Sequence, residues 1–162
     1  MRHCGMVFLL ILSHSSTIWS QEALTQVSQI RNLPAEVATD GRPVRIEATV
    51  SFVEAPGTVF VQDKGSGTFL RTKLPVDHLR IGDRLAVKGT TFPGLFLTGI
   101  DATEFSVVGH ESAPSASSAT YADLIAARYH YQRVTVTGIG RSIRAVDENR
   151  CLLRIALGDR QI

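Results

Sequence analysis

Cysteine is nearly absent from this chain, with two in 162 residues. One of them, Cys4, precedes an apolar N-terminal run and would be lost with it. The other, Cys151, then has no internal partner, so a disulfide-stapled scaffold is excluded. Cys151 sits beside Leu152 and Leu153, where a buried, inert thiol is expected. An excess of one charge is also lacking. The formal net charge is +2, too small for a protein that binds nucleic acid through bulk charge. Histidine is sparse: beyond residue 20 only His78, His110 and His130 remain, none at zinc-ligand spacing from another. All three read as solvated surface residues. One apolar run occurs, Met6 to Leu12, far shorter than the ~20 residues that cross a bilayer.

That run has a purpose of its own. Arg2 and His3 form a basic start, Met6 to Leu12 an apolar core, and Ser13 to Ser20 a small polar region with a cleavage site at Ile18-Trp19-Ser20. Residues 1–20 therefore read as a signal peptide, and the mature chain as periplasmic or secreted. An uncleaved anchor or a misplaced start codon is the alternative. Cys4 lies before the apolar run and does not follow it, so it is no lipoprotein acceptor. Removing Arg2 leaves a nearly neutral chain.

Residues 21–110 carry the pattern of one small β-barrel with a helical lead-in. Leu24, Val27 and Ile30 share a helical face, Thr25 offers a cap, and Pro34 ends the helix. Val44, Ile46, Ala48, Val50 and Phe52 alternate with polar residues, the mark of a half-buried strand. Thr58 to Gln62 follows as a second strand, then a glycine-rich hairpin turn from Asp63 to Gly67, then a third strand from Thr68 to Lys73. Leu74 to Leu79 is an irregular or helical connection. Leu85 and Val87 lead a fourth strand closed by Gly89. Leu95 to Thr98 and Phe105 to Val108 supply a fifth, broken near Gly99-Ile100-Asp101. The spacing predicts an all-β, five-stranded OB-like Greek-key barrel.

Residues 111–119 (ESAPSASSA) form a linker. Then the pattern restarts, with Thr120 three residues before Asp123 as a capped short helix. Val134, Val136 and Gly138 fall 90 residues after Val44, Ile46 and Ala48. Leu153, Ile155 and Leu157 form a further strand, with no third strand expected. Residues 120–162 thus read as a partial second OB-like unit, with its edges open. The chain is either the N-terminal fragment of a longer protein or completes this unit with another chain, the first reading being preferred.

These residues carry a resemblance. Val44-x-Ile46-x-Ala48-x-Val50, Val59-Phe60-Val61-Gln62-Asp63, Gly67, Leu79-x-x-Gly82-Asp83 and Leu85-x-Val87-x-Gly89 resemble exported tandem OB-like modules. Such modules stand at the N-termini of membrane sensor histidine kinases of acidobacterial type. A similar module accompanies some secreted nucleases of the endonuclease/exonuclease/phosphatase type. The resemblance covers roughly residues 24–162 and implies a sensing or interaction role, with membrane and kinase domains following in cis. No kinase signature and no nuclease carboxylate cluster stands in this sequence, and no cofactor is called for.

Catalytic groupings are not found. Asp63-x-Gly65-x-Gly67 lacks the further acids of a calcium loop, and Gly82-Asp83 needs only a turn. The ligand-binding candidates are Phe60, Gln62, Phe69, Arg71 and Lys73. If Val59, Val61 and Leu70 fill the barrel, these five share its outer face on the second and third strands. There OB folds stack bases or sugars on aromatic rings and pair anions with guanidinium or ammonium groups. The same rings would serve equally as barrel filling if the register slipped by one. A second basic cluster, Arg141, Arg144, Arg150 and Arg154, is expected to be a solvated hairpin face, partly neutralised by Asp147 and Glu148. The leading function is a non-enzymatic extracytoplasmic sensing or interaction module for an unidentified ligand. The competing one is single-stranded nucleic-acid or oligosaccharide binding.

Overall fold

The computed structural model describes residues 21–162 apart from positions 55 and 149. The expected signal peptide, with Cys4, lies outside the described residues.

Helix α1, Val27–Arg31, is the first helix of the described residues. Its cap is Gln26 and not Thr25: Gln29 Oε1 accepts from the backbone N–H groups of Thr25 and Gln26 at 3.0 and 3.1 Å. Val27 and Ile30 face inward and are buried, as their spacing requires. Pro34 leads into a second short helix not foreseen from the sequence, α2, Ala35–Ala38.

Five strands follow: β1, Pro43–Glu54; β2, Thr58–Asp63; β3, Ser66–Arg71; β4, Asp83–Phe92; and β5, Gly99–His110. They close in the order β1-β2-β3-β5-β4, with β4 returning to pair with β1. The β3–β5 pairing is parallel, through Leu70 opposite Ile100. A five-stranded Greek-key barrel with that one parallel contact is the OB fold.

The inward set is the one the alternation demands. Val44, Ile46, Ala48 and Val50 of β1, Val59 and Val61 of β2, Leu70 of β3, Leu85 and Val87 of β4, and Ile100 of β5 are all buried. Val76 and Leu79, in the connection between β3 and β4, join the same cluster. That connection holds turns and bends and no helix. The β2–β3 hairpin turns on Lys64 and Gly65, both with positive φ (46° and 77°), the geometry that matches the twist of paired strands.

Several boundaries differ from the sequence reading. β3 starts two residues earlier, at Ser66, and ends at Arg71, short of Lys73. β4 is not closed by Gly89 but runs through it to Phe92. Gly89 lies at a bulge, where an added Cβ would collide with the Asp101 carbonyl oxygen, so glycine permits close pairing there. β5 is unbroken from Gly99, while Leu95 and Phe96, assigned to it from their apolar character, lie on a loop and are 94% and 70% exposed.

The second unit begins inside the expected linker. β6, Ser117–Ser118, pairs in parallel with β7, Val134–Thr135, and α3, Tyr121–Ile125, lies between them. Thr120 and Asp123 cap α3 reciprocally, as their spacing predicts. β8, Ile139–Ala145, and β9, Cys151–Leu157, form a hairpin. A third strand, β10, Arg160–Gln161, is present where none was expected, with Arg160 opposite Leu157. The turn at Gly158 (φ 65°) permits it.

Two backbone features recur along the chain. Leu24 bridges Val44 in parallel, and Ser117 pairs with Val134 in the same sense. β1 bulges between Val50 and Phe52 against β2, and β8 between Gly140 and Ser142 against β9, 90 residues later. Cys151 corrects the sequence reading. It is exposed, opposite Ala145 near the hairpin end, with no layer of the described residues over it.

Replacing Leu70, fully buried and central to both pairings of β3, by alanine is expected to lower unfolding stability by about 2–5 kcal/mol. Leu95→Ala, on the exposed loop, should change it by less than about 0.5 kcal/mol. Urea denaturation of the two variants checks both values.

Candidate functional site

With Val59, Val61 and Leu70 inside the barrel, the alternation of β2 and β3 puts Phe60, Gln62, Gly67, Phe69 and Arg71 on the outer surface. Phe60 pairs with Phe69 across the two strands and with Phe52 across β1 and β2. Ring centroids of Phe52 and Phe60 stand 5.8 Å apart, and Phe69 meets the edge of Phe92 at 5.3 Å. This continuous aromatic surface is the one the sequence marks out.

The chain itself covers it. Tyr131 lies over both rings, 5.5 Å from Phe60 and 4.8 Å from Phe69. The segment that carries Tyr131, residues 127–133, is held by three kinds of contact. The guanidinium of Arg31 donates to the carbonyl oxygens of Gly67 (3.1 Å), His130 (2.6 Å) and Arg128 (2.9 Å). Gln62 Oε1 accepts from the Arg133 backbone N–H at 2.7 Å. Gly67 supplies room: a Cβ there would collide with the Tyr131 carbonyl oxygen. Burial lowers the Arg31 pKa from its ordinary value, and charge-assisted bonds to carbonyls offset that desolvation.

Of the five candidate residues, the structure brings four to this surface. Phe60 and Phe69 are half-buried under Tyr131. Gln62 is buried, its amide oxygen engaged as described. Arg71 forms a two-pronged ion pair with Asp101 at 2.6 Å on both arms and lies 3.9 Å over the Phe92 ring. The hydrogen bond to Asp101 raises its pKa. Lys73 lies past the end of β3, beside Leu74 in an open groove of about 680 Å³ that Arg71 and Asp101 also line.

Three of the contact residues were invisible as functional positions in the sequence. Arg31 reads as one more surface charge, Gly67 as part of a turn, and Tyr131 as one ring in a tyrosine-rich turn. The available signal was the concentration of bulky residues at Tyr129-His130-Tyr131 after a linker. His130 is a correction: it is not a solvated surface residue. It is half-buried, its ring 4.2 Å from Tyr131 and 5.0 Å from Phe96. Burial, and then the Arg31 charge, hold its pKa below the usual imidazole value.

His78 is exposed, as read. His110 is largely exposed and also bonded: its Nδ1 lies 2.9 Å from Asp83 Oδ1. That hydrogen bond, with the Arg80 backbone N–H, lowers the Asp83 pKa. Glu111, first residue of the expected linker, accepts from Thr49 Oγ1 and lies 3.6 Å from Arg84. Among the described residues no group of three or more His, Cys, Asp or Glu could hold a metal ion. No helix among them is long and apolar enough to cross a membrane.

No family model matches the chain, and no curated protein matches it. Several solved structures do. A chain of the S. pombe Stn1–Ten1 complex has a TM-score of 0.43 at 16% identity, covering 55% of this chain and 79% of that one. The telomere capping protein Ten1 of S. pombe has 0.40 at 16%, covering 54% and 84%. The hypothetical protein YgiW of E. coli has 0.40 at 11%, covering 54% and 90%. At these values the likeness adds nothing to the strand order, which itself establishes the OB fold.

Gly67→Ala and Arg31→Met should each loosen the 127–133 segment while leaving the barrel folded. Loss of charge-assisted bonds of about 1.5–3 kcal/mol corresponds to amide exchange faster by on the order of ten- to a hundredfold at residues 128–133. Hydrogen exchange by mass spectrometry reads this directly.

Acidification should act on the same contact. A histidine whose folded pKa is depressed binds fewer protons when packed than when free, so its packed state is most stable above the free value of about 6.5. Stability is lost as pH falls below that value. Amide exchange at residues 128–133 should therefore rise between about pH 7 and 5 in the native protein, and this rise should flatten in His130→Gln.

Proposed function

We propose that the chain is a non-enzymatic, extracytoplasmic interaction module of a membrane signalling protein, built from OB units that dock on one another. One observation carries the reading: Tyr131 of the second unit sits on Phe60 and Phe69, the surface an OB barrel ordinarily offers to a ligand. A face engaged by a neighbouring unit suits the relay of a mechanical or binding signal along a tandem array. The resemblance of the strand and turn motifs to sensor histidine kinase N-terminal modules supports the signalling context, and the apolar run from Met6 to Leu12 supports export.

Binding of single-stranded nucleic acid or oligosaccharide at the same face is the second reading, favoured by the aromatic pair and the adjacent cation Lys73. Two features weigh against it. The rings are covered, and Arg71 is already neutralised by Asp101.

The native protein should not be retained on immobilised single-stranded DNA at low salt. Salt-sensitive retention that Phe60→Ala abolishes would instead establish the nucleic-acid reading. Fusion of residues 1–162 to a reporter active only outside the cytoplasm checks export, and an inactive fusion would remove the extracytoplasmic assignment.

A further inference from the structure

The second unit repeats the first in backbone but not in the chemistry of its outer face. The matching bulges align the Ser142–Arg154 pair with the Phe52–Phe60 pair. Where the first unit presents the aromatic surface that receives Tyr131, the second presents an alcohol and a guanidinium. Arg144 pairs with Leu152 one step along the hairpin, which makes Arg144 and Arg154 diagonal neighbours on one face. Arg141 lies in the bulge, and all three arginines are exposed.

Among the described residues no acid pairs with them. From residue 134 onward there are five arginines and three acidic residues. Asp147 pairs with Arg150 at 2.7 Å and Asp159 with Arg160 at 3.7 Å. Glu148 lies away from the strands, in the turn between β8 and β9. Among the described residues Arg141, Arg144 and Arg154 make no ion pair. Beside these cations on the same face are aliphatic side chains exposed to solvent: Leu152, opposite Arg144, at 48% and Ile139, in the row beyond Arg154, at 62%. Among the described residues none of the three arginines stacks on an aromatic ring.

We propose that this outer face of β8 and β9 is a docking surface for an anionic phospholipid bilayer. Guanidinium groups pair with headgroup phosphates, while the adjoining aliphatic side chains enter the headgroup boundary. Charge complementarity selects an anionic partner. The aliphatic residues on the same face select a lipid surface over a linear polyanion, which would use the charges alone. The proposal stands independently of the signalling role above, because it uses none of the residues at the Tyr131 contact.

The test is co-sedimentation of the full chain with vesicles of phosphatidylcholine alone or mixed with phosphatidylglycerol. The segment before residue 21 is common to every variant, so its contribution cancels between them. The native protein should prefer the anionic vesicles and lose the preference at high salt. Substituting Arg141, Arg144 and Arg154 together by glutamine should weaken anionic-vesicle binding by on the order of a hundredfold, about fivefold per arginine. Leu152→Ser and Ile139→Ser should each weaken it severalfold, and Arg45→Gln, on an exposed position of the barrel, should not.

The proposal is overturned if the arginine variant binds like the native protein, or if Arg45→Gln weakens binding as much. It is equally overturned if the serine variants bind vesicles normally while the arginine variant loses retention on heparin or single-stranded DNA, which would identify a linear polyanion. Circular dichroism and melting must match the native protein. If the glutamine set does not fold, the matching lysine set replaces it. That set should retain most of the affinity, and its loss would also count against the proposal.

Discussion

At Gly67 the turn at residues 128–131 leaves no space for a side chain on the outer surface of β3, and much of the chain's arrangement depends on that close approach. Gly67 lets the Tyr131 carbonyl come down onto the strand, and Arg31 then reaches from α1 to bind oxygens on both sides of the contact. The guanidinium is desolvated there, which would be costly for an ion without partners. Three carbonyl acceptors in place of water make the position tolerable, and the planar fork of arginine can serve several acceptors at once in a way a lysine could not. The tyrosine ring adds apolar burial to a surface already lined by phenylalanines.

The barrel was legible in the sequence because its inner residues obey a strict period of two. Val44 to Val50, Val59, Val61 and Leu70 announce which side faces in, and the outward set follows without further information. Legibility failed where one residue type serves two purposes. Gly89 looks like a strand end but is a mid-strand position that admits a neighbouring backbone. Leu95 and Phe96 look like core and lie on a loop. Cys151 beside two leucines looks buried, yet the hairpin that holds it carries no covering layer. At the candidate site, the aromatic surface was readable from alternation, but its occupant was not. Tyr131 lies 71 residues from Phe60 and 62 from Phe69 in sequence, and nothing local in a tyrosine announces a distant partner.

The internal repeat shows how one backbone plan supports different surfaces. A bulge recurs at the same offset in β1 and β8, and a lead-in segment pairs in parallel with the first strand in both units. These are backbone features, fixed by twist and hydrogen-bond geometry. The outward side chains are under no such constraint. They have become aromatic in one unit and basic with aliphatic residues in the other, so the units share an architecture and differ in what they can touch.

The contact between the units is written largely in main-chain atoms on one side and side chains on the other. Arg31 addresses the carbonyls of residues 128 and 130, and Gln62 addresses the N–H of residue 133. None of these three bonds depends on the side chain at the position addressed. What the segment must keep is its shape, with Ala127 and Tyr131 at positive φ (52° and 61°). These bonds ask nothing of the side chains at positions 128, 130 and 133, so what constrains His130 is its own ring contact with Tyr131, while Arg31, Gln62 and Gly67 are held by the bonds and the close approach themselves. A search for correlated changes between the two units would therefore register the ring contacts of Tyr131 and overlook the hydrogen bonds, whose partners on one side are main-chain atoms.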